Sequence, residues 1–233
     1  MTAPTLEQTI AANISAVRAR IAAAAARVGR DPAGIRLVGV SKTFPPEMVA
    51  AAVRAGLADI GENRVQEAVA KRAALEAAGL RPVWHLVGHL QSNKVKPALQ
   101  TFDILHSIDS VRLAEALNRH ATRPVDVLIE VNVAGEATKF GFAPEEVEEA
   151  LRYLQRLDHL RVHGLMTVAP QVADPEQVRP VFRALRVLRD ATGLAELSMG
   201  MTDDFEVAVE EGATIVRIGR AIFGPRPMTD EGD

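Results

Sequence analysis

Apolar residues recur at spacings of three and four from the start of the chain. Leu6, Ile10, Ile14, Val17, Ile21 and Val28 form one stripe, the signature of an amphipathic helix. Asp31-Pro32 and Gly34 stop it. Short β-branched runs then alternate with longer amphipathic stretches. The runs predict strands at Ile35–Lys42, Ala58–Asn63, Pro82–Gly88, Ile104–Asp109, Asp126–Val133, Val162–Val168, Glu196–Gly200 and Ile215–Gly219. Helix-like segments between them include Pro46–Ala55, Arg64–Ala78, Val111–Ala121, Pro144–Leu157 and Pro175–Ala191. Strand starts recur every 20–36 residues or so, roughly the length of a βα unit. Several strands are apolar on both faces, as parallel strands covered by helices are.

Eight such units with nothing left over predict an α/β protein, a closed (β/α)8 TIM barrel with an extra N-terminal helix. An open doubly wound sheet is the alternative, and it would carry a Gly-rich phosphate loop after an early strand. The first strand instead ends in Val40-Ser41-Lys42-Thr43. No Pro/Gly/Ser-rich linker divides the chain. Residues 1–233 are therefore expected to form a single domain, with 1–30 packing as a helix on the barrel and 225–233 as a frayed tail.

Composition narrows the function. A net charge of −3 and a pI near 6.1 give no global pull toward nucleic acid or an anionic membrane. The absence of cysteine excludes disulfides, thiolate catalysis and Cys-ligated metals, and it fits a reducing cytosol. The N-terminus lacks a basic patch followed by an apolar run, and no stretch of about 18 apolar residues is present. The expectation is a cytoplasmic protein. No Ser-His-Asp triad, zinc spacing or Walker loop is visible, and His85 and His89 make no metal site with an obvious carboxylate.

Barrel active sites sit at the carboxyl ends of the strands. Lys42 ends the first strand on the face of Val38 and Val40. In a dry mouth its charged form is disfavoured and its amine becomes nucleophilic toward carbonyls; a solvated strand-exit lysine is the plainer alternative. Around strands 7 and 8, Gly200 and Gly219 allow backbone N–H groups to approach an anion, with Ser198 and Arg220 as side-chain donors. Two ordinary glycine turns would look the same. Arg217 alternates with Ile215 and Gly219 and so points inward, where it needs a ligand or a carboxylate such as Glu130 or Asp109.

These residues stand in longer motifs: Leu37–Thr43, Asp59–Glu67, Trp84–Lys94, Gly164–Thr167, Leu197–Met201 and Val216–Gly224. Together they resemble the pyridoxal phosphate homeostasis protein family, whose barrel is similar to the N-terminal domain of alanine racemases. The resemblance runs over nearly the whole chain. It implies that pyridoxal 5′-phosphate (PLP) forms an internal Schiff base on Lys42, with Asn63 beside the cofactor and Arg217 at the pyridine nitrogen. It implies Ser198, Met199, Gly219 and Arg220 around the phosphate. Lys139 matches a second lysine proposed to receive the cofactor in transit.

Two function classes remain: a carrier that buffers PLP and delivers it to PLP-dependent apo-enzymes, and a racemase-like enzyme. Racemisation needs proton donors on both faces of the substrate carbon. In alanine racemases the lysine's partner is a tyrosine, supplied across a dimer by an extra β domain. The single tyrosine here, Tyr153, falls in a helix-like segment, and no further domain is expected. The reading is a monomeric carrier without catalytic residues. His85 and Lys139 are the next candidates for a missing acid or base at the mouth.

Overall fold

The computed structural model describes residues 4–136 and 138–225. Most of the expected tail, 226–233, and the first three residues lie outside the described residues.

The N-terminal helix α1 spans Leu6–Arg27. Thr5 and Gln8 close its first turn reciprocally, each side chain bonding the other's backbone N–H. Its stripe of Ile10, Ile14, Val17 and Ile21 is buried. Eight strands follow: β1 Arg36–Val40, β2 Asp59–Glu62, β3 Val83–Leu86, β4 Ile104–Ile108, β5 Val125–Glu130, β6 Leu160–Met166, β7 Glu196–Ser198 and β8 Ile215–Ile218. All pair in parallel, and β8 returns to β1, so the sheet closes into a barrel in sequence order. The helices α2 Pro46–Arg54, α3 Val65–Ala77, α4 Val95–Thr101, α5 Val111–His120, α6 Val147–Leu154, α7 Arg179–Thr192, α8 Phe205–Glu210 and α9 Arg220–Phe223 each follow one strand. The extra helix α1 packs on α2, α8 and α9.

The alternation of each strand divides its residues between two layers. Ile60, Trp84, Leu86, Leu105, Val127, Ile129, Leu165, Leu197, Val216 and Ile218 face the helices in the main core. Val38, Leu128, Met166 and Ile215 form a separate apolar plug inside the barrel. Gly39 makes room for Leu57: a Cβ there would come within 2.3 Å of its Cδ2, so the Leu57 side chain would have to shift.

The strands stop earlier at the carboxyl end than the apolar pattern implies. β1 ends at Val40, leaving Lys42 in a turn, and β7 ends at Ser198. At the mouth the ladder thins to single bonds, such as Ser41 N–H to Gly61 O and Val87 N–H to Glu62 O. At the other end β6 begins at Leu160, two residues before its expected start. The helices expected from Pro144 and Pro175 begin as 3-10 turns, Pro144–Glu146 and Pro175–Val178, before α6 and α7.

Candidate functional site

The carboxyl ends of the strands surround a cavity of about 580 Å3, within the size range of small-molecule sites. Lys42, Asn63, Lys139, Arg217, Gly219 and Arg220 all line it. The structure thus brings together six of the eight residues singled out from sequence. Ser198 and Met199 do not line it, and both are fully buried. The Ser198 hydroxyl is taken up below the cavity, 2.7 Å from Arg217 Nη1 and 2.9 Å from His106 Nδ1.

Lys42 stands in a turn whose next residue, Thr43, has a φ of 68°, a left-handed conformation costly for a β-branched residue. The turn is held from both sides. Lys71 Nζ donates to Ser41 O at 2.7 Å, and Thr43 N–H donates to Glu67 Oε2 at 3.1 Å. Lys71 is itself nearly fully buried, 2.5 Å from Glu62. Burial pushes the Glu62 carboxyl up, and the Lys71 ammonium pulls it back. Sequence reasoning missed Lys71. The available signal was its place on the apolar face of α3, in line with Val65, Ala68 and Leu75.

Arg217 is buried and donates to Ser198 Oγ and, at 2.8 Å, to Thr167 O. The expected carboxylate partners are not its hydrogen-bond partners. Asp109 is engaged by His89 at 2.8 Å, while Asp204 and Glu130 act on Arg217 only through their charge. Desolvation brings the guanidinium down to about 10, so it stays charged at neutral pH. Burial raises the Glu130 carboxyl to about 7, with Asp109 adding to the rise.

Gly219 precedes α9, and a Cβ there would sit 3.3 Å from Val40 O. Gly200 has a φ of 89°, and a Cβ would meet Ala208 at 2.5 Å. These two glycines let the loops after β7 and β8 run close to the mouth. Arg220 pairs with Asp203 in the neighbouring loop after β7, so its guanidinium already has an anionic partner. Lys139 Nζ lies 2.5 Å from Glu136.

One expectation needs correction, and the expected placement of Tyr153 away from the mouth holds. His85 is not at the mouth: it is fully buried inside the barrel and bonds Asp59 at the opposite end. The reason is register, since His85 pairs with Gly61 and Ile104, in mid-sheet. Tyr153 lies on α6, bonded to Glu115 of α5 at 2.6 Å, and does not line the cavity.

Residues 10–227 match the family described as alanine racemase, N-terminal domain. The pyridoxal phosphate homeostasis protein of Aquifex aeolicus is 47% identical over 222 residues, 91% of this chain and 96% of that protein. The chain belongs to the pyridoxal phosphate homeostasis protein family. Among solved structures, PipY of Synechococcus elongatus PCC7942 with PLP bound superposes with a TM-score of 0.80 at 35% identity, covering 92% of this chain and all of that one. Alanine racemase from Corynebacterium glutamicum superposes with a TM-score of 0.68 at 18% identity, over 96% of this chain and 63% of the racemase. That second likeness shows the fold alone. For this family member, no helix among the described residues is long and apolar enough to cross a membrane. Among the described residues no group of three or more His, Asp or Glu is gathered to hold a metal ion.

Proposed function

We propose that this protein binds PLP covalently through Lys42 in the mouth cavity, and that it buffers and delivers the cofactor rather than catalysing a reaction. The observation that carries the reading is the convergence of Lys42, Arg217 and Gly219 on one cavity from the joined strands β1 and β8. PLP supplies an aldehyde that condenses with a primary amine, an electron-drawing pyridine ring and a phosphate. The donor set fits each part. Lys42 offers the amine on a braced turn. Arg217, held by Ser198 and Thr167, presents a permanent donor to the ring nitrogen. The glycine after β8 and the first N–H groups of α9, which lack intrahelical acceptors, suit the phosphate. Arg220 joins them only by sharing its guanidinium with Asp203. Ser198 acts on the site through Arg217, and Met199, buried in the main core, supports the loop after β7. Asn63 flanks the cofactor, and Lys139 offers a second amine at the rim.

The non-catalytic part of the reading rests on the acid/base inventory. Arginine at a pyridine nitrogen favours an unprotonated ring and a weaker electron sink, which racemases tolerate, so the second acid/base carries the distinction. Tyr153 stands on the outer surface. General acid/base assistance is typically worth 10²–10⁴ in rate, on the order of what a missing second proton donor forfeits. We read residues 1–233 as one PLP-binding unit, a cytoplasmic monomer whose partners are PLP-dependent apo-enzymes.

Two measurements test this. Pyridoxal lacking the phosphate should bind far more weakly than PLP, because charge-assisted bonds exceed neutral ones; equal affinity contradicts the phosphate cradle. Solvent deuterium should not enter the α-carbon of L- or D-amino acids. Robust, stereospecific exchange lost in Lys42→Ala overturns the carrier reading.

A further inference from the structure

Five side chains cross the barrel interior in hydrogen-bond order. Arg217 Nη1 is 2.7 Å from Ser198 Oγ, which is 2.9 Å from His106 Nδ1. His106 Nε2 is 2.9 Å from His85 Nδ1, and His85 Nε2 is 2.9 Å from Asp59 Oδ1. They come from β8, β7, β4, β3 and β2. Ser198, His106 and His85 are wholly buried. Asp59 opens β2, so the chain ends away from the mouth, beside Arg36.

The proton positions follow from the two ends. A guanidinium can only donate, and a carboxylate can only accept. His85 therefore carries a proton on Nε2, toward Asp59. At the other end Ser198 Oγ accepts from Arg217, and its own proton has only His106 Nδ1 to go to, so His106 donates from Nε2 to His85 Nδ1. Burial, with His85 and Arg217 nearby, holds His106 well below the usual histidine range, so it is neutral. Its Nδ1 accepts, the Ser198 proton goes there, and a Ser198 lone pair is left for Arg217. Every bond points the same way. The reverse tautomer of His106 would leave the Ser198 proton with no acceptor in the chain, a costly state in a buried site.

We propose that His106, His85 and Asp59 are positioning residues for Arg217: they fix the tautomer that aligns Ser198 and thereby hold the guanidinium in the wall of the Lys42 cavity. Its bearing on the cofactor rests on the PLP reading above; the tautomers do not.

The first test needs no cofactor. Nitrogen-15 NMR of the histidine side chains at neutral pH should show His85 and His106 both neutral with the proton on Nε2. A protonated Nδ1 on His106 overturns the proposal. The second test is Asp59→Ala, which removes the terminal acceptor. The His106 nitrogen signals should move toward mixed tautomers. PLP should bind roughly two- to tenfold more weakly, the worth of about one hydrogen bond, with a shifted visible band and the covalent link to Lys42 intact. Unchanged His106 signals with unchanged PLP affinity and band overturn the proposal. If this variant does not fold, the wild-type tautomers decide. Wild-type protein that fails to take PLP on Lys42 defeats the function reading and leaves the tautomer result standing.

Discussion

The two faces of the same eight strands are built on different rules. Toward the helices, Ile60, Trp84, Leu105, Leu165 and Val216 make a continuous apolar layer in which one residue can stand in for another of similar volume. Toward the axis, a small plug of Val38, Leu128, Met166 and Ile215 shares the space with Asp59, His85, His106, Ser198 and Arg217. There each group has a fixed donor or acceptor duty. The outer face supplies stability through burial, and the inner face supplies direction. Polar groups also enter the outer layer, and one cluster of them, Ser41–Glu62–Lys71, sits directly behind the Lys42 turn.

Substitutions on the two faces should separate fold from site. Trp84→Ala opens a hole in the outer layer and should cost about 3–5 kcal/mol in denaturant unfolding. The visible band of bound PLP should be unchanged at temperatures where the variant is folded. A large spectral change would break the division. Lys71→Ala tests this cluster. It leaves buried Glu62 without its cation, a loss of roughly 3–5 kcal/mol, and it also frees the Lys42 turn. Both unfolding and PLP capture should suffer, and an effect on unfolding alone would return Lys71 to the stability layer.

The inner face also carries a pH dependence. Glu130 titrates near 4.5 when unfolded and about 7 when folded. Folding therefore favours its protonated form. Stability should be highest below the unfolded value and fall as pH rises from 4.5 to about 7, by roughly 3 kcal/mol at most. Glu130→Gln should flatten that portion of the curve and exceed wild type above pH 7. Equal slopes in the two proteins would contradict the assignment. The smallest effect belongs to neither face. Tyr153→Phe removes an exposed bond to Glu115 and should change stability by no more than about 0.5 kcal/mol, with PLP binding unaltered.

The contrast between faces also explains what the sequence disclosed. The outer layer was legible because burial against helices leaves a two-residue period and a regular βα rhythm. All eight strands and the long helices appear where that rhythm puts them. The short α8 and α9 span too few residues to display a helical period. At the mouth, Lys42 and Arg217 could be placed because each shares a strand face with apolar neighbours. The interior chain could not. His106 and Ser198 lie 92 positions apart, and only closure of the barrel brings them together. The strand pattern places His85 near the carboxyl end of β3, and only the pairing with Gly61 and Ile104 and the bond to Asp59 show that it lies inside the barrel. Lys71 does not stand out in the sequence because a lysine in a helix is ordinarily solvated.

In the proposed function the lysine of the turn after β1, and no other, holds PLP. Borohydride reduction of the protein incubated with PLP, followed by peptide mapping, tests it directly. A single reduced adduct should map to Lys42, with the visible band abolished in Lys42→Ala. An adduct mapped chiefly to Lys139, Lys71 or another amine, or a band that persists in Lys42→Ala, would contradict it.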